Sequence, residues 1–226
     1  MSLLEVCCGN IESVKAAKEA GADRIELCTA LEVGGLTPSI GQIDKAVEIF
    51  GTGVFVLIRE RPGDFVYSQP ELDVMGKDIA AAIKAGVSGI VIGALSPFGD
   101  IDLEGLKYLI DKAENKEITF HRAFDEVKDP FKALEKIIAS GCHRILTSGQ
   151  REKADQALPF LKELNERANK RIIIMPGSGV SCENASKILE ATGCNEIHAS
   201  AKEFRNSTWM SSVEEIRKIK NSLSKI

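Results

Sequence analysis

Eight short apolar segments recur at nearly even spacing along the 226-residue chain, and this regularity constrains the fold more than any other feature. The segments are Leu3–Cys8, Arg24–Cys28, Val54–Arg59, Gly89–Gly93, Glu117–His121, Arg144–Thr147, Arg171–Met175 and Glu196–Ala199. Stretches with helical periodicity separate them, which predicts βαβ units and a parallel sheet. Eight such units fit one slim (β/α)8 TIM barrel, a single α/β domain spanning residues 1–226. A doubly wound open sheet is the alternative, and the lack of a glycine-rich dinucleotide motif disfavours it.

A weak internal repeat supports a closed barrel. The turns before strands two, four, six and eight each read as a small residue, Gly, an apolar residue, two variable residues and Ile. Glycine just past a helix end supplies a left-handed cap. These turns belong to the end of the barrel opposite the usual active-site face, so Cys142 and Cys194 within them are interpreted as packing residues.

Composition excludes several classes of protein. Lys and Arg number 29 against 33 Asp and Glu, and aromatic residues make up only 5%, which disfavours nucleic-acid binding. No apolar stretch approaches the roughly 18 residues that a membrane span needs, and residues 1–5 do not resemble a signal peptide. Six cysteines in such a chain predict reduced thiols and a cytoplasmic location rather than disulfides.

Polar residues of five strands are predicted to point into the barrel. Helices cover the outside, so apolar strand positions face outward and the other parity faces inward. The inward residues are Glu5, Cys7, Glu26, Cys28, Arg59, Thr119, His121, His198 and Ser200. One interpretation is a structural ion network of Glu5, Glu26 and Arg59. The other is a catalytic group at the barrel mouth, comprising Glu26, Arg59, His121 and His198.

Two glycine-containing loops suggest an anion site. Thr147-Ser148-Gly149-Gln150 follows strand six, and a Gly177-Ser178-Gly179 loop follows strand seven before a helix predicted to open at Ser181. Glycine-rich backbone at a helix N-terminus presents free N–H groups to anions. The anion-binding candidates are Arg122, Ser148, Gly149, Gly177, Gly179 and Ser200. The alternative is that these glycines serve only tight turns.

Several stretches resemble the CutC family of copper homeostasis proteins. They include residues 4–8, 21–28, 34–39, 119–125 (Thr-Phe-His-Arg-Ala-Phe-Asp) and 146–150 (Leu-Thr-Ser-Gly-Gln), in the right order along the chain. The resemblance implies a cytoplasmic TIM barrel that handles copper and forms a homo-oligomer, most simply a dimer. It also implies that Cys7 and Cys28 are ligands for Cu(I).

Two functions therefore stay open at the level of sequence. The first is Cu(I) binding, since soft thiolates favour that ion. Inward residues of adjacent strands tend to occupy different layers, which leaves open whether the two sulfurs meet. The second is an enzyme that uses acid/base chemistry on a small anionic or phosphorylated metabolite at the barrel mouth.

Overall fold

A computed structural model describes residues 2–205 and 208–224 of the chain. Its eight parallel strands are β1 (Leu3–Cys8), β2 (Arg24–Leu27), β3 (Val54–Leu57), β4 (Gly89–Ile92), β5 (Glu117–Phe120), β6 (Arg144–Thr147), β7 (Ile173–Pro176) and β8 (Glu196–Ala199). They pair in the order β7-β6-β5-β4-β3-β2-β1-β8, and β7 lies against β8 without a hydrogen-bonded ladder in the described residues. The predicted TIM barrel is therefore confirmed, in a nearly closed form.

One helix follows each strand of the barrel. In chain order they are α1 (Ile11–Ala20), α2 (Ile40–Phe50), α3 (Gln69–Lys84), α4 (Leu103–Lys112), α5 (Pro130–Ser140), α6 (Leu158–Ala168), α7 (Ala185–Thr192) and α8 (Val213–Leu223). Gly21, Gly141 and Gly193 end helices in the left-handed conformation, with φ of 74°, 89° and 70°. Three of the four repeated turn glycines thus act as the caps that the sequence pattern predicts, and the fourth, Gly86, is also left-handed but follows the cap residue Ala85.

The strands bury both faces, with apolar residues outside and a mixed layer inside. Leu4, Val6 and Ile25 belong to the large core between strands and helices. A separate small cluster inside the barrel contains Cys7 and Cys28. The alternation of inward and outward residues is as predicted, although β2, β3, β4 and β5 each end one or two residues earlier than the sequence pattern suggests.

Ion pairs fill the interior toward the N-terminal ends of the strands. The Arg24 guanidinium contacts the carboxylates of Glu5 and Glu196, and Arg144 also binds Glu196, with an N···O distance of 2.5 Å. The predicted network of Glu5, Glu26 and Arg59 is wrong, because Arg24 is the cation beside Glu5. Arg24 and Glu5 are register partners on adjacent strands, whereas Arg59 lies past the end of β3.

A short antiparallel hairpin separates β8 from the last helix. It consists of β9 (Lys202–Arg205) and β10 (Thr208–Ser211), and it packs against the N-terminal part of the chain. The Ser211 hydroxyl donates to the Cys7 carbonyl at 3.3 Å, and the Asn10 side chain donates to the Trp209 carbonyl at 3.0 Å. Across residues 2–205 and 208–224, none of the helices has the length and apolar character needed to cross a membrane.

Candidate functional site

A cavity of about 770 Å³ opens at the C-terminal ends of the barrel strands. This volume lies in the range of small-molecule sites. Eight residues singled out in the sequence lie on its wall, namely Cys7, Glu26, Arg59, His121, Arg122, Gly179, His198 and Ser200. The other four, Cys28, Ser148, Gly149 and Gly177, lie outside that wall. The parity argument therefore brings Glu26, Arg59, His121 and His198 to one cavity.

The two predicted copper ligands lie in contact. Cys7 belongs to β1 and Cys28 directly follows β2, and their Sγ atoms are 3.7 Å apart. Cys7 is the register partner of Glu26, so Cys28 occupies the next inward layer, but the sulfurs still meet. Both cysteines are buried and free. The hydrogen bond with Cys28, together with burial, raises the pKa of the Cys7 thiol well above its ordinary value.

His198 links the carboxylates of Glu5 and Glu26. Its Nδ1 atom lies 2.8 Å from Glu5 Oε1, and its Nε2 atom lies 3.5 Å from Glu26 Oε2. Burial would raise the pKa of Glu5, but Arg24 and His198 outweigh burial and hold that pKa at about 2. Burial raises the pKa of Glu26 to about 7 despite the nearby His198. The pKa of His198 is raised because its hydrogen bonds with Cys7 and Glu5 outweigh burial.

These contacts produce a compact group of three possible metal ligands. A sulfur of Cys7, a carboxylate oxygen of Glu26 and a ring nitrogen of His198 all lie within 4.8 Å of one another. All three side chains are buried and line the cavity. The group therefore combines a soft, a borderline and a hard donor next to the Cys7–Cys28 pair.

Arg59 and His121 form another part of the cavity wall. The guanidinium of Arg59 donates to backbone carbonyls of Val33, Gly35 and Gly63 and lies over the Phe65 ring, 4.8 Å from its centroid. The His121 Nδ1 atom accepts the Ala123 N–H at 3.1 Å. Within the described residues, Arg59 Nε and His121 Nε2 are buried without a hydrogen-bond partner.

The imidazole of His121 is neutral near pH 7. Burial, reinforced by the positive charge of Arg59, lowers the pKa of His121 to about 3. Since Nδ1 accepts a hydrogen bond, the neutral ring carries its proton on Nε2. The catalytic assignments of Glu26, Arg59, His121 and His198 stay predictions.

Asp125 engages the donors of the loop after β6. Its carboxylate accepts the backbone N–H groups of Ser148 at 3.1 Å and Gln150 at 3.2 Å, and also the Ser148 hydroxyl at 2.9 Å. Arg122 Nε donates to the same carboxylate at 2.9 Å, and Gly149 N donates to the Thr147 hydroxyl at 2.9 Å. A side chain of the protein thus occupies much of this predicted anion site.

The loop after β7 does not lead directly into a helix. Helix α7 begins at Ala185, so the predicted opening at Ser181 is wrong. The Asn184 side chain accepts the Ser181 N–H at 2.9 Å and donates to the Gly179 carbonyl, which holds residues 181–184 in a turn. Gly177 packs closely against Leu146 and His198. Anion binding by the two glycine loops stays a prediction, and no helix N-terminus directly follows the loop after β7 to support it.

Sequence reasoning missed two residues that hold the site together. Arg24 fixes Glu5, which in turn contacts His198. Arg24 has the same inward parity as Glu26 on β2, and this signal could have identified it. Asp125 organises the loop after β6 from a short helical turn at residues 122–126. Its position depends on a contact between segments far apart in the sequence, so no local pattern identifies its partners.

Comparisons with known proteins agree with this fold and with the resemblance seen in the sequence. The sequence matches the CutC family over residues 2–203. A family protein CutC from Glaesserella parasuis is 48% identical over 204 residues, covering 90% of this chain and 84% of that protein. The human copper homeostasis protein cutC homolog is 45% identical over 205 residues, covering 91% and 75%. A crystal structure of a CutC protein from Streptococcus agalactiae has a TM-score of 0.84 and 36% identity, covering 88% of this chain and 99% of that one.

Proposed function

Because the chain belongs to the CutC family, we propose that it takes part in copper homeostasis and binds Cu(I) through the thiolates of Cys7 and Cys28. The observation that carries the proposal is the 3.7 Å separation of the two sulfur atoms. Metal–thiolate bonds are about 2.3 Å long for zinc, so two sulfurs that share one ion lie at most about 4.6 Å apart. The pair can therefore reach a single metal ion without a change in the backbone.

The chemistry of the pair suits a soft ion. Thiolates select Cu(I) over harder cations, and the small apolar cluster of Phe55, Leu57 and Val91 packs beside the pair. Binding replaces the thiol protons, since the thiolate is the form that ligates metal. A reducing compartment such as the cytoplasm would keep both thiols free, and we place the activity there. The homodimer stays a prediction.

The alternative of an enzyme for phosphorylated metabolites has less support. The loop amides that would bind phosphate after β6 are engaged by Asp125, and the loop after β7 lacks a helix N-terminus directly behind it. Both features remove part of the electrostatic basis of an anion site. The thiol pair needs no such rearrangement to hold a metal.

The test is an anaerobic Cu(I) titration against a colorimetric Cu(I) chelator, with a reductant present. We expect the wild type to retain one equivalent of Cu(I), and Cys7→Ser and Cys28→Ser each to lose it. The matched controls are Cys142→Ser and Cys194→Ser, two buried thiols outside the mouth cavity, which should retain the ion. Equal retention by all four variants, or equal loss from all four, would contradict a specific site.

A further inference from the structure

We propose that Cys7, Glu26 and His198 form a second metal site, which overlaps the thiol pair at Cys7, for a divalent ion of the zinc class, with one coordination position open to the cavity. The proposal goes beyond copper binding and does not depend on it. Cys7 is common to both sites, so the two ions would compete for its sulfur. The argument rests on ligand chemistry, on the geometry of the three side chains and on the partner that orients His198.

The three residues come from three strands that the barrel places side by side. Cys7 and Glu26 are register partners on β1 and β2, and His198 is the inward residue of β8, which pairs with β1 on its other side. Their ligand atoms lie within 4.8 Å of one another. Rigid strands rather than loops therefore hold the donors, which favours a defined geometry.

The donor set fits zinc better than copper(I). Zinc accepts thiolate, imidazole and carboxylate ligands, while Cu(I) prefers sulfur and has little affinity for carboxylate. The thiolate of Cys7 and the carboxylate of Glu26 would supply two negative charges, which offset a dication in a buried position. Cys28 contacts Cys7 but does not belong to this three-residue group.

The geometry is close to that of a bound tetrahedral ion. Nitrogen and oxygen ligands at about 2.1 Å from zinc lie about 3.4 Å apart when the angle between them is tetrahedral. The observed separation of His198 Nε2 and Glu26 Oε2 is 3.5 Å, which is long for a hydrogen bond. A thiolate at about 2.3 Å from zinc lies about 3.6 Å from the other ligands, so the 4.8 Å limit requires the Cys7 sulfur to approach them by at most about 1.2 Å.

Glu5 supplies the partner that metal-binding histidines usually have. His198 Nδ1 lies 2.8 Å from the Glu5 carboxylate, which Arg24 holds in turn. A histidine ligand commonly donates its second N–H to a carboxylate, and this contact fixes the ring and its tautomer. Here the contact leaves Nε2 facing Glu26, and a bound ion would displace the proton from that nitrogen.

The cavity gives the site an open position. All three ligands line the space of about 770 Å³, which is far larger than one ion needs. Three protein ligands with a fourth position left to water or substrate are typical of catalytic zinc sites. A zinc ion here would hold a water molecule or a substrate oxygen at the barrel mouth.

The experiment measures Zn²⁺ binding to the metal-free, reduced protein by competition with a chelating dye. Co²⁺ replaces Zn²⁺ in a second measurement, where a thiolate-to-cobalt absorption band reports coordination by Cys7. We expect one equivalent of Zn²⁺ on the wild type and at least tenfold weaker binding by His198→Asn and Glu26→Gln. Cys142→Ser is the matched control and should bind as the wild type does.

Cys28→Ser separates the two sites, because it removes one thiol of the copper pair and none of the three proposed zinc ligands. Cys28→Ser should lose Cu(I) and keep one equivalent of Zn²⁺. His198→Asn should keep Cu(I) and bind Zn²⁺ at least tenfold more weakly. Thermal melting followed by circular dichroism establishes that each variant is folded.

The proposal is overturned if the folded wild type binds no Zn²⁺, or if His198→Asn and Glu26→Gln both bind it as tightly as the wild type. It is also overturned if Cys28→Ser loses Zn²⁺ as completely as Cys7→Ser, since the ion would then lie on the thiol pair. Failure of copper binding alone leaves these Zn²⁺ outcomes unaffected.

Discussion

Acid should destabilise this protein through His121, a histidine buried against Phe65 and close to Arg59. Its pKa is about 3 in the folded protein and about 6.5 in an unfolded chain. Between these values the unfolded state binds more protons than the native state, so the free energy of unfolding rises with pH. The contribution of His121 is fully present above pH 6.5 and is lost as pH falls toward 3.

The size of this effect follows from the two pKa values. Each pH unit below 6.5 lowers the free energy of unfolding by about 1.4 kcal/mol, so about 2 kcal/mol has been lost at pH 5 relative to pH 7.

 The assay is urea unfolding at pH 5 and pH 7, with the free energy extrapolated to water. Between pH 7 and pH 5, the free energy of unfolding of the wild type should fall by about 2 kcal/mol more than that of His121→Asn.

Asparagine is the informative replacement at this position. Its side-chain oxygen can take the place of Nδ1 as acceptor for the Ala123 N–H, while the titrating group is removed. The variant loses packing against Phe65 and should be less stable at both pH values, so only the difference between pH values is compared. His143→Asn is the matched control, since that histidine is exposed in a turn at the other end of the barrel. The reasoning is refuted if wild type and His121→Asn show the same change in stability between pH 5 and pH 7.

Two further variants test the interior contacts by urea unfolding at pH 7. Arg24→Met should lower the free energy of unfolding by about 3 to 5 kcal/mol, because it leaves the buried carboxylates of Glu5 and Glu196 without a shared cation. A loss below about 1 kcal/mol would contradict this role. Asp125→Ala should lower it by about 3 kcal/mol, since the backbone N–H groups of Ser148 and Gln150 both lose their acceptor. An unchanged midpoint in Asp125→Ala would show that water replaces the carboxylate without cost.

The barrel could be predicted from the sequence because its pattern is local and repeated. Each strand shows its apolar run, and glycines such as Gly21 and Gly141 mark where helices end. The mouth residues Glu26 and His198 followed from strand parity, which is also a local property. The sequence pattern predicts β2, β3, β4 and β5 one or two residues too long, because residues such as Arg59 continue the pattern after the ladder ends.

The remaining features depend on contacts that a single sequence does not show. Helix α7 begins at Ala185 rather than at the predicted Ser181, because the Asn184 side chain accepts the Ser181 N–H and holds a turn before the helix. The ion-network interpretation places Arg59 beside Glu5, although the same parity argument also points Arg24 inward. The contact between the sulfurs of Cys7 and Cys28 required the register of β1 and β2, which hydrophobic periodicity does not fix.

The interior ion pairs connect the stability of the barrel to the chemistry of its mouth. Arg24 holds Glu5, Glu5 contacts His198 Nδ1, and the other nitrogen of that ring faces Glu26 in the cavity. A change at Arg24 should therefore affect two properties at once, because it frees the carboxylate that orients His198. Cys28 lies outside this chain of contacts, so the thiol pair is connected to Arg24 only through the contact of Cys7 with His198. The proposed zinc site would therefore depend on the buried ion pairs, whereas the proposed copper pair would depend mainly on the register of β1 and β2.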